Sequence, residues 1–313
     1  MPPSKTGPAP PESVPSMSTS SLAKSKRAAL AGRLQIGSFV VAPGVFDMIS
    51  ARIADRLGFN ALYMTGYGTV ASHLGLPDAG LASYRDMVDR ARMIAEGTNT
   101  PLIADADTGY GGPLNVAHTV RGYETAGVSA LQIEDQEFPK RCGHTLGRKV
   151  VSMADMVRKI QVASDSRTYA DFLIIARTDA RTSLGLDEAL RRGEAYQRAG
   201  ADILFIESPE SEAEMAEIGR RFDVPLMANM VEGGRTPVVS ADRLKQLGYR
   251  VAIFPAFGFL AAGAALRAAY GKLKRDGSSV GFDRELYGFE DFNELMGFER
   301  IWEFDRTYGE DDE

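Results

Sequence analysis

The chain has 313 residues, 44% of them hydrophobic and 25% charged, an ordinary globular balance with enough apolar material for a large core. A net charge of −6, with 36 scattered basic residues, argues against nucleic acid or a membrane surface as partner, and no apolar run approaches the ~20 residues a bilayer span needs. One cysteine excludes an internal disulfide framework and fits a reducing, cytoplasmic setting.

The stretch from Met1 to Ser21 is rich in Pro and Ser and has no apolar period, so it reads as a disordered leader. It lacks the hydrophobic segment of a secretory signal and the arginines of a transit peptide. From residue 22 to 275 one pattern recurs, in which an amphipathic stretch ends in Gly and a short apolar run follows. Strand candidates in order are Phe39–Ala42, Ala61–Met64, Leu102–Ala104, Leu131–Ile133, Phe172–Ala176, Ile203–Ile206, Pro225–Ala228 and Val251–Phe254. They are continuous rather than alternating, as parallel strands covered on both faces should be. Four are preceded by Gly58, Gly127, Gly200 and Gly248, suited to the left-handed position just past a helix. Ser83 with Asp86, Ser152 with Asp155 and Ser211 with Glu214 have the spacing of helix N-terminal caps, and Phe46, Ile49, Ile53 and Leu57 have helical spacing. Eight units over about 230 residues predict a (β/α)₈ TIM barrel. A doubly wound open sheet competes, but it usually stops near six strands and announces a Gly-rich first turn that is absent here. Residues 276–313 are left as a helical extension with an acidic tail.

Polar residues follow the apolar runs: Asp105 and Asp107, Glu134 and Asp135, Arg177 and Asp179, then Glu207, then Asn229. In a barrel these strand ends converge on one mouth, where catalytic groups of this fold sit. A single strand-end acid is often only a helix cap; a converging set shares that explanation poorly. Asp105 and Asp107, two residues apart, are expected on the same side of an extended segment. Carboxylates without His or Cys suit a hard cation, Mg²⁺ first and Mn²⁺ second. In Lys140-Arg141-Cys142-Gly143-His144 the only thiol lies beside two cations, which should favour proton exchange near neutrality.

With that loop the sequence resembles the isocitrate lyase / phosphoenolpyruvate mutase superfamily, from about Phe39 to Lys274. The matching pieces are Met64–Gly68, Leu74–Asp78, Asp105–Gly111, Ile133–Gln136, Lys140–His144, Ala176–Ala180 and Ala228–Gly234. The resemblance implies a barrel whose last helix is exchanged between subunits, usually in a homotetramer. It implies Mg²⁺ near Asp105 and Asp107, held largely through water, with Asp78 and Glu134 in the surrounding shell. It implies that Thr65, Gly66 and Tyr67 hold a substrate carboxylate, that Gly143, His144 and Asn229 contact ligand, and that Arg177, Glu207 and Cys142 are catalytic. The loop around Cys142 looks like that of the lyases, in which the thiol protonates a nascent carbanion.

Two departures narrow the substrate. Lyases of tricarboxylates place an arginine where Leu260 aligns, which would leave one carboxylate without a clamp. The second departure is Gln132, where methylisocitrate lyases often have His; Pro255 matches the lyase pattern, whereas oxaloacetate-hydrolysing relatives tend to have Ser there. The expected activity is carbon–carbon cleavage of a small 2-hydroxy dicarboxylate, a 2-alkylmalate such as dimethylmalate, releasing a 2-oxo acid. Carboxyphosphonoenolpyruvate mutase-type chemistry, or decarboxylation or hydrolysis of oxaloacetate, is the alternative on the same site.

Overall fold

A computed structural model of the chain describes residues 19–143 and 147–309. Eight parallel strands are present: β1 (Val40–Val45), β2 (Leu62–Met64), β3 (Leu102–Asp105), β4 (Ala130–Glu134), β5 (Leu173–Thr178), β6 (Ile203–Ile206), β7 (Met227–Asn229) and β8 (Val251–Phe254). Each pairs with its sequence neighbour, β1 also pairs with β8, and a parallel bridge between Leu204 and Leu226 closes β6 onto β7. The architecture is the expected (β/α)₈ barrel.

Side chains alternate between two cores. Val40, Ala42, Ile103, Ile175, Phe205 and Ile253 point inward and fill the barrel. Leu62, Ala104, Leu131, Ile174 and Leu204 point outward against the helices. The helix Pro113–Thr125 shows the arrangement: Val116, Val120 and Tyr123 recur at helical spacing and are fully buried. Burying side chains of this size stabilises by about 1.5–3 kcal/mol each. Ser83, Ser152 and Ser211 each accept from the amide three residues on, as their spacing predicts. Glycines 58, 127, 200 and 248 all have positive φ. The helix expected around Ile49 and Ile53 spans Met48–Arg56, but its buried face is Ala51 and Ala54, with Ile49 and Leu57 exposed.

The helix Thr19–Gln35 has no strong apolar stripe and begins inside the stretch read as a leader, so Thr19, Ser20 and Ser21 form its first turn. It plugs the amino end of the barrel with Leu30 and Leu34. Its remaining buried side chains are cations: Lys26 donates to the Thr98 carbonyl at 2.9 Å, and Arg27 lies over the Tyr169 ring. Residues 1–18 and the acidic tail 310–313 lie outside the described residues.

The eighth barrel helix, Phe257–Asp276, differs from the others. Across its 20 residues no side chain is buried, and Leu266, Tyr270 and Leu273 stand exposed. Two helices of the carboxyl extension follow, Phe289–Met296 and Phe298–Tyr308. Arg52 holds the first of them by donating to the Leu295 and Met296 carbonyls at 3.1 and 2.8 Å.

Candidate active site

The carboxyl ends of the strands surround a cavity of about 290 Å³. Thr65, Gly66, Tyr67, Asp78, Asp105, Cys142, Gly143, Arg177 and Asn229, all singled out from sequence, border it. A wider hollow at the amino end is lined by Gln35, Asp171, Asp202, Asp223 and Arg250 among others, and none of the candidate site residues borders it.

β3 ends on Asp105, whose Oδ1 accepts from the Asp107 amide at 3.0 Å. Asp107 has φ +48°, so the chain turns sharply there and is not the extended segment expected from the two-residue spacing. Both carboxylates are buried, yet Asp107 reaches its place through strained backbone. Lys140 binds them into a cluster: its Nζ pairs with Asp78 and lies 2.7 Å from Asp107 Oδ1. That second contact is a buried ion pair. Lys140 neighbours the thiol in sequence, but its charge is matched by the acids. No periodicity signals this role, since a loop lysine reaches the acids only through the fold.

Glu134 accepts from Gln136 at 2.9 Å and lies 3.3 Å from Arg177 Nε. Arg177 is clamped by Asp179 through two bonds of 2.9 Å and approaches Glu207 Oε2 at 3.4 Å. Arg148 pairs with Asp179 from behind. Glu207 also accepts from Asn229 Nδ2 at 3.0 Å. Asp135 leaves the set: it accepts from Arg192, Tyr196 and Thr178 between the barrel and the helix Leu186–Arg198, a structural role. Beneath the cluster, Tyr63 donates to Gln132 at 3.1 Å, and Gln132 Nε2 lies 3.4 Å from Asp105 Oδ1.

Burial pushes the Asp105 and Glu134 carboxyls up, Glu134 well above the usual range, and Asp107 up to about 6, with Asp78 and Asp105 adding to the rise at Asp107. Burial opposes the Lys140 and Arg177 charges, but the acids around them win and hold both protonated. Asp78, Asp105, Asp107, Glu134, Asp179 and Glu207 make six acids, against three cations in Lys140, Arg148 and Arg177. That excess of buried carboxyl groups over cations fits a divalent cation. Among the described residues no three His, Cys, Asp or Glu side chains converge closely enough to encircle an ion. An ion that keeps several waters, as Mg²⁺ does, suits that spacing.

Thr65 starts the helix Gly66–Leu74, its Oγ1 accepting from the Gly68 amide at 3.4 Å. Gly66 and Tyr67 border the cavity, and their amides, in the first turn, are among those a helix leaves without an intrahelical carbonyl partner. A Cβ on Gly66 would lie 2.4 Å from Asp105 Oδ2, so glycine is what lets this helix end meet the carboxylate. Cys142 is half-buried at the cavity edge, its amide donating to the Asp78 carbonyl at 3.1 Å, and Gln136 holds the Arg141 backbone on both sides. His144 lies outside the described residues. Opposite the acids the wall is apolar, formed by Val231, Ile253, Pro255, Ala256, Phe259 and Leu260.

The chain is similar to known proteins over most of its length. The family model described as phosphoenolpyruvate phosphomutase matches residues 31–274. A 2,3-dimethylmalate lyase of Eubacterium barkeri is 50% identical over 275 residues, covering 88% of this chain and 95% of that one. Oxaloacetate acetylhydrolase, solved with the inhibitor 3,3-difluorooxalacetate, superposes with a TM-score of 0.86 at 38% identity, covering 93% of this chain and 98% of that one. Phosphonopyruvate hydrolase, solved with oxalate and Mg²⁺, gives 0.82 at 31% identity, covering 91% and 99%. Barrel, motifs and matches agree: the chain belongs to the phosphoenolpyruvate phosphomutase family of the isocitrate lyase / phosphoenolpyruvate mutase superfamily.

Proposed function

We propose that this chain is a Mg²⁺-dependent carbon–carbon lyase that splits a 2-alkylmalate such as 2,3-dimethylmalate and releases a 2-oxo acid. The observation that carries this reading is the two-faced cavity. Acids and Arg177 form one face with Cys142 at the rim, and the other face is apolar. Among the described residues lining it, Arg177 is the one cation, so a third substrate carboxylate would be left unmatched at a cost of several kcal/mol. The 50% identity to a 2,3-dimethylmalate lyase points the same way.

In this reading Asp105 and Asp107 hold the ion, with Asp78 and Glu134 around its waters. Bound there, Mg²⁺ would polarise the 2-hydroxy carboxylate. The first-turn amides of Gly66 and Tyr67 bind the carboxylate, Thr65 anchors that turn, and Asn229 and Gly143 border the ligand. As the C2–C3 bond breaks, the 2-hydroxyl proton passes to a carboxylate of the acid cluster, the oxygen becomes the 2-oxo group, and the electron pair of the broken bond is left on C3, beside the second carboxylate. Arg177, fixed by Asp179 and Glu207, faces the charge that develops. Cys142 gives its proton to C3. That role needs a reduced thiol, which fits a cytoplasmic enzyme, and no helix among the described residues is long and apolar enough to cross a membrane. The exposed helix Phe257–Asp276 supports exchange of this element between subunits of a homotetramer.

The test is release of 2-oxo acid from a panel of alkylmalates, coupled to lactate dehydrogenase. Turnover by wild type, abolished by EDTA and by Cys142→Ser, supports the lyase; no product from any alkylmalate overturns it. The likeness to oxaloacetate acetylhydrolase favours a second reading, hydrolysis of oxaloacetate on the same residues. Oxaloacetate carries no alkyl group to meet the apolar wall, so oxaloacetate turnover that persists in Cys142→Ser is the result that would install it.

A further inference from the structure

Immediately after Glu207 the backbone adopts a conformation that serine ordinarily avoids. Ser208 is fully buried with φ +61°, in the left-handed region where a Cβ is strained and glycine would sit without cost. A non-glycine residue kept in such a place invites the question of what its side chain does. Its Oγ lies 3.2 Å from the Gly143 carbonyl oxygen and 3.0 Å from Glu207 Oε1. Both are acceptors and the hydroxyl has one proton, so that proton is shared between the thiol loop and the site carboxylate.

The loop needs such a tie. On the amino side of Cys142 it is pinned by Lys140 to Asp78 and Asp107, and by Gln136 to both backbone groups of Arg141. At Cys142 the amide donates to the Asp78 carbonyl. On the carboxyl side Gly143 presses against the site, where a Cβ would stand 2.3 Å from Arg177 Nη2 and 3.1 Å from Glu207 Oε2. Such close packing sets distance but gives little directional hold; the Ser208 hydroxyl supplies direction.

We propose that Ser208 is a positioning residue: its hydroxyl, held inward by left-handed backbone, fixes the Gly143 carbonyl and so holds Cys142 at the cavity edge. Its effect on turnover rests on the proton-donor reading of Cys142; the positioning itself does not.

Because Cys142 is the only cysteine, its alkylation rate reports the loop alone. The experiment measures alkylation by iodoacetamide, followed by mass spectrometry at fixed pH, for wild type, Ser208→Ala and Ser208→Gly, with melting temperatures in parallel. Alanine removes the hydroxyl and keeps the strained Cβ; glycine removes both. Alkylation should rise about fivefold in both variants, the effect of one ordinary hydrogen bond. The glycine variant should melt no lower than the alanine variant, because its backbone strain is relieved. With an alkylmalate, kcat should fall by a similar factor while KM stays within about twofold. Alkylation at the wild-type rate in both variants overturns the proposal. So does a rate that follows melting temperature, the less stable variant reacting faster, since general loosening would then explain it. Faster alkylation in an enzyme that turns over no alkylmalate would strike the lyase reading and leave the positioning role standing.

Discussion

The mouth of this barrel has two unlike halves. From the segment after β2 to β6 it is built of buried charges that hold one another: Lys140 bridges Asp78 and Asp107, and Arg177 is fixed by Asp179, Glu134 and Glu207. From β7 to the helix Phe257–Asp276 it is an apolar wall whose Leu260 is 50% exposed. In the charged half no side chain acts alone, because removing one leaves its partner buried and unmatched. In the apolar half each side chain contributes its own area. The first half carries chemistry and couples to the whole fold; the second selects among substrates and should be tunable one residue at a time.

Substitutions can break this contrast. The largest effect should come from Arg177→Lys, which cannot reproduce the two-bond clamp on Asp179: kcat/KM should fall about a thousandfold with the fold intact by circular dichroism. An effect below tenfold would show that the charged half is not a coupled unit. Lys140→Met leaves Asp78 and Asp107 facing each other, and should cost the metal-free protein about 3 kcal/mol in urea unfolding, recovered in part by millimolar Mg²⁺.

A third effect is pH-dependent. Asp107, pushed up to about 6 by burial, is protonated below that pH in the metal-free protein, and a cation must displace the proton. Mg²⁺ affinity measured by calorimetry should therefore weaken as pH falls through about 6, by up to about tenfold per unit for this one proton. Flat affinity across this window would remove Asp107 from the ion's surroundings. The smallest effect belongs to the apolar half: Leu260→Ala should lower kcat/KM for a branched alkylmalate by about tenfold or less and leave Mg²⁺ affinity unchanged. A change in Mg²⁺ affinity there would erase the distinction between the halves.

Much of this molecule was legible before folding was considered. The eight strands, the glycines after four helices and the serine caps follow from local rules, in which a short apolar run or a positive-φ glycine means the same thing wherever the chain goes. The strand-end acids could be placed at one mouth because the barrel's topology brings successive strand ends together. Tertiary structure alone decided how those charges divide. Asp135 turned outward to Arg192 and Tyr196, Lys140 turned inward to the acids, and Asp107 took a left-handed turn in place of an extended one. Helix Thr19–Gln35 escaped notice because it docks through two leucines and two buried cations, with no stripe to read. Ser208 was equally silent, since neither its strain nor its bond to Gly143 has a local signature. Residue type and spacing set the elements, but the pairing of buried charges depends on which side chains meet across the sequence, and that is set only once the barrel closes.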